Sequence, residues 1–309
     1  MRVVFFGTSV FAVPSLEALL AHGHAVLLCI TQPDRLQGRG LRAAPSPVKT
    51  AALRLGVPLQ QPEQLRRELF EAVHPELGVV IAYGRLIRQE LLDWPAHGML
   101  GVHPSLLPKY RGAAPVAWAL LNGETTTGVT IFRLNERLDA GRMLLQRTVT
   151  VQPAEDAEQL TQRLASFGAQ ALVEGIETVA MGRAIWSAQD ESRASVAPKL
   201  TKAQGHVDWQ QPAQTIERLV RALVPWPGAM CVWGGRALKL WKASVSEVLE
   251  RPSGVRPGMV TRVEDQAITV AAGTGAVNLH EVQPSGRRRM PIKEFLAGHP
   301  VHVGDRFQT

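Results

Sequence analysis

A carboxylate and an imidazole on neighbouring loops can together accept, hold and return a proton, the service needed when a nucleophile attacks a carbonyl carbon. This chain offers one such candidate pair. His103 stands in the block Gly101-Val102-His103-Pro104-Ser105-Leu106-Leu107-Pro108-Lys109-Tyr110-Arg111-Gly112-Ala113-Ala114-Pro115, where prolines stiffen a loop that follows an apolar segment. Asp139 stands in the turn Glu136-Arg137-Leu138-Asp139-Ala140-Gly141, directly after the strand-like residues 128–134. A His and an Asp 36 positions apart also fit a loop pair that satisfies only its own hydrogen bonds, and spacing alone leaves both readings open.

Other chemistries lack their residues. The first strand is followed by Gly7-Thr8 and not by G-x-G-x-x-G or a phosphate-cradling G-x-x-x-x-G-K-[ST], which disfavours NAD and ATP. There is no H-E-x-x-H and no C-x-x-C, so metal dependence has no support, and His22 and His24 read as solvated groups at a helix end. Ser105 lies near His103 but outside a G-x-S-x-G elbow, which favours a turn-capping hydroxyl over a nucleophile.

The elements that must position the pair follow an α/β rhythm. Strands are expected at residues 1–6, 24–31, 77–83 and 99–102, with helices near 14–20, 46–54 and 87–92 between them. Strand, helix, strand in close succession builds a doubly wound, mostly parallel sheet, in which ligands bind outside the carboxyl ends of the strands, where His103 falls. Residues 32–45 interrupt the rhythm with about fourteen residues rich in Gly, Pro and Arg, longer than usual αβ connections of ~2–6 residues. An amphipathic helix near 155–181 precedes a polar, aperiodic stretch read as a linker. A helix near 213–222 and five short strands between 229 and 283 then suggest a small OB-like β-barrel. The expected domains are 1–188, a linker at 189–206, and 207–309.

Length and composition agree: 309 residues, 45% hydrophobic and 20% charged, are those of a globular chain of one large or two modest domains. No apolar run reaches the ~20 residues of a membrane span, and no leader pattern opens the chain, so a soluble cytoplasmic protein is expected. Cys29 and Cys231, the two cysteines, are expected as buried thiols rather than a disulfide. The net charge of +7 favours an anionic partner, and the excess is densest in the last third, where 13 Lys and Arg face 9 Asp and Glu after residue 206.

The chain resembles the methionyl-tRNA formyltransferases nearly end to end, within the wider 10-formyltetrahydrofolate-dependent formyltransferases. Besides the Ser105-Leu106-Leu107-Pro108 block, the likeness rests on Phe6-Gly7-Thr8, Thr31-Gln32-Pro33-Asp34, Gly38-Arg39-Gly40, Pro45-Ser46-Pro47-Val48-Lys49, Ala82-Tyr83-Gly84, Leu138-Asp139-Ala140-Gly141, Ala197-Pro198-Lys199-Leu200 and Pro225-Trp226-Pro227. The resemblance implies transfer of a formyl group from 10-formyltetrahydrofolate to the α-amine of methionyl initiator tRNA, without metal, in a Rossmann-like domain joined to a tRNA-binding barrel. It places His103 at the reaction centre with Asp139 orienting it and supporting its cationic form. Folate contacts fall on Ala82, Tyr83, Gly84, Ser105, Leu106, Leu107 and Pro108, and tRNA contacts on Arg39 and Arg42 of the long loop and on Arg287 and Arg288. A monomer is expected.

One position departs from the family pattern N-V-H: Gly101 stands where an asparagine amide would hydrogen-bond the formyl oxygen. Loss of one such donor costs ~3 kcal/mol in rate. A water in the vacated volume or a backbone N–H is the expected partial substitute, with His97 a remote one. This departure keeps two alternatives open, a catalytically impaired tRNA-binding homologue and, independently, a formyltransferase for a small amine. Trp226, Trp233 and Trp241 are expected to pack rather than to stack on bases.

Overall fold

In the computed structural model, residues 1–37, 42–70, 72–247 and 254–309 are described. The chain divides into two units: Met1–Pro115, Thr126–Thr150 and Thr161–Ala197 form the first, and Val116–Thr125, Val151–Leu160 and Pro198–Thr309 the second. Residues 189–197, read from the sequence as linker, thus fold with the first unit, while 116–125 and 151–160 fold with the second.

The first unit is built on a seven-stranded sheet of β1 (Arg2–Gly7), β2 (Ala25–Ile30), β3 (Leu59–Gln60), β4 (Leu77–Ile81), β5 (Met99–His103), β6 (Thr126–Arg133) and β7 (Met143–Thr150). Their order is β7-β6-β5-β4-β1-β2-β3. The pairs β5–β4, β4–β1, β1–β2 and β2–β3 are parallel, whereas β6 runs antiparallel to both β5 and β7. The parallel strands are near-continuous apolar runs because both faces are covered: Val3, Val4, Phe5, Phe6, Cys29 and Ile30 have no exposed surface. Helix α1 (Val13–Ala21) starts with a proline in its first turn, and α2 (Pro47–Arg54) is capped by Ser46, whose hydroxyl accepts from the Lys49 N–H. The helix foreseen at 87–92 is a single turn, Gln89–Leu92, whose Leu91 and Leu92 pack in one core with Val4 and Phe6. Within the stretch read as a long loop, Arg35–Gln37 pairs antiparallel with Arg42–Ala44.

In the second unit, β8 (Ala229–Trp233), β9 (Arg236–Val245), β10 (Val260–Glu264), β11 (Ala267–Ala271), β12 (Ala276–Pro284) and β13 (Met290–Pro291) form one antiparallel sheet ordered β8-β9-β12-β11-β10, with β13 added to β12. Residues near the C-terminus bridge both ends of that order, Gln308 with Val232 and Arg306 with Met259, which draws the sheet toward closure. Helix Ala213–Ala222 buries Ile216 and Val220 in a core shared with Trp209, Phe295 and Phe307. Both cysteines are free and buried, and burial pushes each thiol up to about 12.

Candidate active site

His103 is the last residue of β5 and is buried. Its Nε2 lies 2.8 Å from the carbonyl oxygen of Tyr110. A carbonyl only accepts, so Nε2 carries the proton and Nδ1 is the nitrogen left for chemistry. Nδ1 faces Asp139 Oδ2 at 3.7 Å, beyond hydrogen-bond length, so the two couple through charge rather than through a shared proton. The same carboxylate oxygen accepts the Gly112 N–H at 2.8 Å. Spacing alone had left the pair undecided; the fold brings the two side chains together.

Asp139, Tyr110 and Ala82 are the non-glycine residues with positive φ among those described, at 51°, 62° and 44°. Each lies in a loop singled out from the sequence. Side chains avoid this region, and residues held there cluster at functional loops because the surroundings over-determine them. Around Asp139 that restraint is visible: Gln189 Nε2 donates to the carbonyls of Asp139 and Gly141, both at 2.8 Å. Gln189 Oε1 in turn accepts from Arg111 Nε and Nη2 at 3.0 and 2.8 Å, and Arg111 forks onto both oxygens of Glu191. Tyr110 is fixed by Ser195, whose Oγ accepts the Tyr110 N–H and whose carbonyl accepts the Arg111 N–H. Val196–Ala197 then pairs with Arg111–Gly112 as a short parallel ladder. The polar residues 189–197 therefore clamp the His103 loop, a role that aperiodic composition does not reveal.

Thr130 and Gln146 were also missed. Thr130 Oγ1 donates to the Ser105 carbonyl and accepts from the Leu107 N–H, and Gln146 Nε2 reaches both Thr130 Oγ1 and the Leu107 carbonyl. Alternation along β6 does not distinguish such a threonine from any other strand residue.

Of the residues assigned to folate, Tyr83, Ser105, Leu107 and Pro108 are buried, whereas Ala82 and Gly84 are exposed and Leu106 is half-buried. The Tyr83 ring packs among Phe6, Phe70, Leu91 and Trp94, and its carbonyl is held by Thr8 Oγ1 and Gln32 Nε2 at 2.9 and 2.5 Å. The accessible part of this set is Ala82 and Gly84 together with the half-buried Leu106. Ser105 Oγ donates to the Lys109 carbonyl at 2.6 Å, a turn-capping hydroxyl.

The volume beside Gly101 is not vacant, which corrects the expectation of a water there. A Cβ on Gly101 would lie 2.5 Å from Cε1 and 2.8 Å from Cζ of Phe132. His97 lies before β5, with its N–H on the Glu76 carbonyl, at the opposite end of the strand from His103. Among the described residues no group of His, Cys, Asp and Glu is placed to hold a metal ion, and no helix is long and apolar enough to cross a membrane.

Arg39 lies outside the described residues, and Arg42 belongs to the short 42–44 strand with its side chain outside them. Arg288 pairs with Glu294 and Arg289 with Glu281, both at 2.5 Å, whereas no acidic partner stands beside Arg287 among the described residues. Trp233 packs on Phe295 and Phe307. Trp241 is different: the Arg289 guanidinium and the Lys239 ammonium lie over its ring at 5.1 and 5.9 Å. Trp226 is 48% exposed.

Residues 1–176 match the formyl transferase family and residues 199–300 the formyl transferase C-terminal domain. A methionyl-tRNA formyltransferase of Caldanaerobacter subterraneus subsp. tengcongensis is 44% identical over 98% of this chain and 99% of its own length. One from Solibacter usitatus is 44% identical over 99% and 98%. Among solved structures, HypX of Aquifex aeolicus in complex with tetrahydrofolic acid superposes with a TM-score of 0.68 at 23% identity, over 100% of this chain and 50% of that one, a likeness of fold. With both domains matched and identity sustained along the whole length, the chain belongs to the formyl transferase family.

Proposed function

We propose that this chain transfers a formyl group from 10-formyltetrahydrofolate to the α-amine of methionyl initiator tRNA. The observation that carries this reading is the His103–Asp139 pair at the carboxyl end of β5, 3.7 Å apart and held on both sides by backbone, in a chain whose full-length relatives are methionyl-tRNA formyltransferases. The folate is a substrate here. The exposed Ala82 and Gly84 and the half-buried Leu106 fit a flat heteroaromatic ring that takes polar contacts on its edge and an apolar contact on its face.

In this reading the methionyl amine forms the new C–N bond at the formyl carbon while the bond from that carbon to N10 of the folate breaks. The amine proton passes to Nδ1 of His103, the nitrogen that Tyr110 leaves free, and the imidazolium returns it to N10 as the bond from the formyl carbon to N10 breaks. The imidazolium formed faces Asp139, whose negative charge supports it. With no side chain at Gly101, the charge developing on the formyl oxygen is met by that imidazolium rather than by an amide.

In the second unit, Trp241 beneath two cations, Arg287 with no acidic partner among the described residues, and the exposed Trp226 favour an RNA surface, since guanidinium groups suit phosphates and aromatic faces suit bases. This placement modifies the expectation that all three tryptophans pack. The exposed Arg288–Glu294 pair gives little net stability, so Arg288 exchanges its carboxylate for phosphate at small cost.

Incubation with 10-formyltetrahydrofolate and methionyl initiator tRNA should yield formylmethionyl-tRNA. Formylation of an amino sugar nucleotide or of glycinamide ribonucleotide in its place would move the assignment to small amines. Tight tRNA binding with no formyl transfer would leave a binding protein.

A further inference from the structure

We infer that Phe132 is the residue that positions the His103 ring, and that position 101 is glycine because that ring occupies its side-chain volume. This rests on His103 as the proton-handling group of the proposed reaction. In the antiparallel register of β5 and β6, Gly101 opposes Phe132 and His103 opposes Thr130. Opposed residues in such a pair share a face of the sheet, so all four lie together. The Phe132 ring folds back across the strand onto the bare α-carbon of Gly101, close enough that even a methyl group there would overlap Cε1 and Cζ, with Leu134 Cδ1 2.9 Å away on the same side. From that seat it meets His103 at 88° with centroids 6.5 Å apart, and the ring is only 4% exposed.

His103 then has three fixed neighbours: the Tyr110 carbonyl at Nε2, Asp139 opposite Nδ1, and the Phe132 ring beside the imidazole. The first two define which nitrogen does which work. A half-turn of the imidazole about χ2 would put Cδ2 where Nδ1 stands and Cε1 where Nε2 stands, so that carbons would face Asp139 and the Tyr110 carbonyl. Phe132 walls the ring against that flip. Buried beside the base, it is a positioning residue, and the demand on position 101 follows from its size rather than from chemistry at 101.

The test is a cycle of four full-length chains, the natural one, Phe132→Leu, Gly101→Ala and the double variant, read by steady-state formyl transfer and by the imidazole 15N spectrum of His103. Phe132→Leu should lower kcat about tenfold while KM for both substrates stays within about threefold. In its spectrum the single Nε2–H tautomer should give way to averaged nitrogen shifts. Gly101→Ala displaces the ring and should lose kcat similarly, and the double variant should be no slower than Phe132→Leu alone. Wild-type kcat with an unchanged His103 spectrum in Phe132→Leu, or losses that multiply in the double variant, would overturn the inference. If Gly101→Ala does not fold, Phe132→Leu decides alone. A natural chain that transfers no formyl group would sink the proposed reaction instead, while the nitrogen spectra would still show whether Phe132 holds the ring.

Discussion

Replacing Asp139 by asparagine isolates its charge from its structural work. The residue sits at φ 51°, a conformation asparagine adopts more readily than alanine, and an asparagine oxygen can still accept the Gly112 N–H that Oδ2 now accepts. What disappears is a negative charge 3.7 Å from His103 Nδ1, where the two side chains are only 7% and 16% exposed. At an effective dielectric of about 20, a carboxylate and an imidazolium at that distance attract by about 4.5 kcal/mol. The imidazolium is only partly formed in the transition state, so a loss of ~2.7–4.1 kcal/mol, or about 10²–10³-fold in kcat, is expected. Single-turnover formyl transfer at saturating folate and tRNA measures it, with thermal unfolding showing the fold intact and tRNA affinity unchanged. A folded Asp139→Asn chain within about fivefold of the natural rate would refute the claim that this charge supports His103.

Gln189→Leu should lower stability by about 2–4 kcal/mol in urea unfolding, because it leaves the Asp139 and Gly141 carbonyls without their donor; a change under about 0.5 kcal/mol would mean water replaces the clamp. Arg287→Ala should reduce the slope of log tRNA affinity against log salt by about 0.9 if that guanidinium meets one phosphate, and an unchanged slope would remove it from the interface. Neither thiol should react with a disulfide reagent in the folded protein at pH 8, since both are pushed up to about 12. The sign follows directly: an unfolded chain ionises its thiols near 9 while the folded one does not. Their contribution to stability is therefore full below that pH and falls as pH rises toward 12, which pH-dependent unfolding measures.

Much of the molecule was legible along the chain because its signals are local. Continuous apolar runs such as Val3–Phe6 announce strands buried on both faces, Ser46-Pro47 announces a helix start, and five short segments after 229 announce the antiparallel sheet. The loop that carries His103 and the turn that carries Asp139 were readable for the same reason: Gly, Pro and Asp at fixed offsets are turn chemistry that neighbours dictate. The strand β7 and the role of residues 189–197 were not, since an edge strand with polar residues and an aperiodic segment acquire their meaning only from what they pair with.

The sequence alone settled the residue types available for chemistry, a histidine, an aspartate and no metal-ligand spacing, and the order of the elements that carry them. Tertiary structure decided the rest: that Tyr110 claims one nitrogen of His103 and leaves the other to Asp139, that Gln189 and Ser195 hold the two loops from 50 and 85 residues away, and that Gly101 is filled by Phe132 rather than by water. Apart from Tyr110 and His103, which share one loop, these are contacts between residues distant in the chain. Their geometry depends on sheet register and loop closure, which periodicity encodes only as alternation and never as a partner.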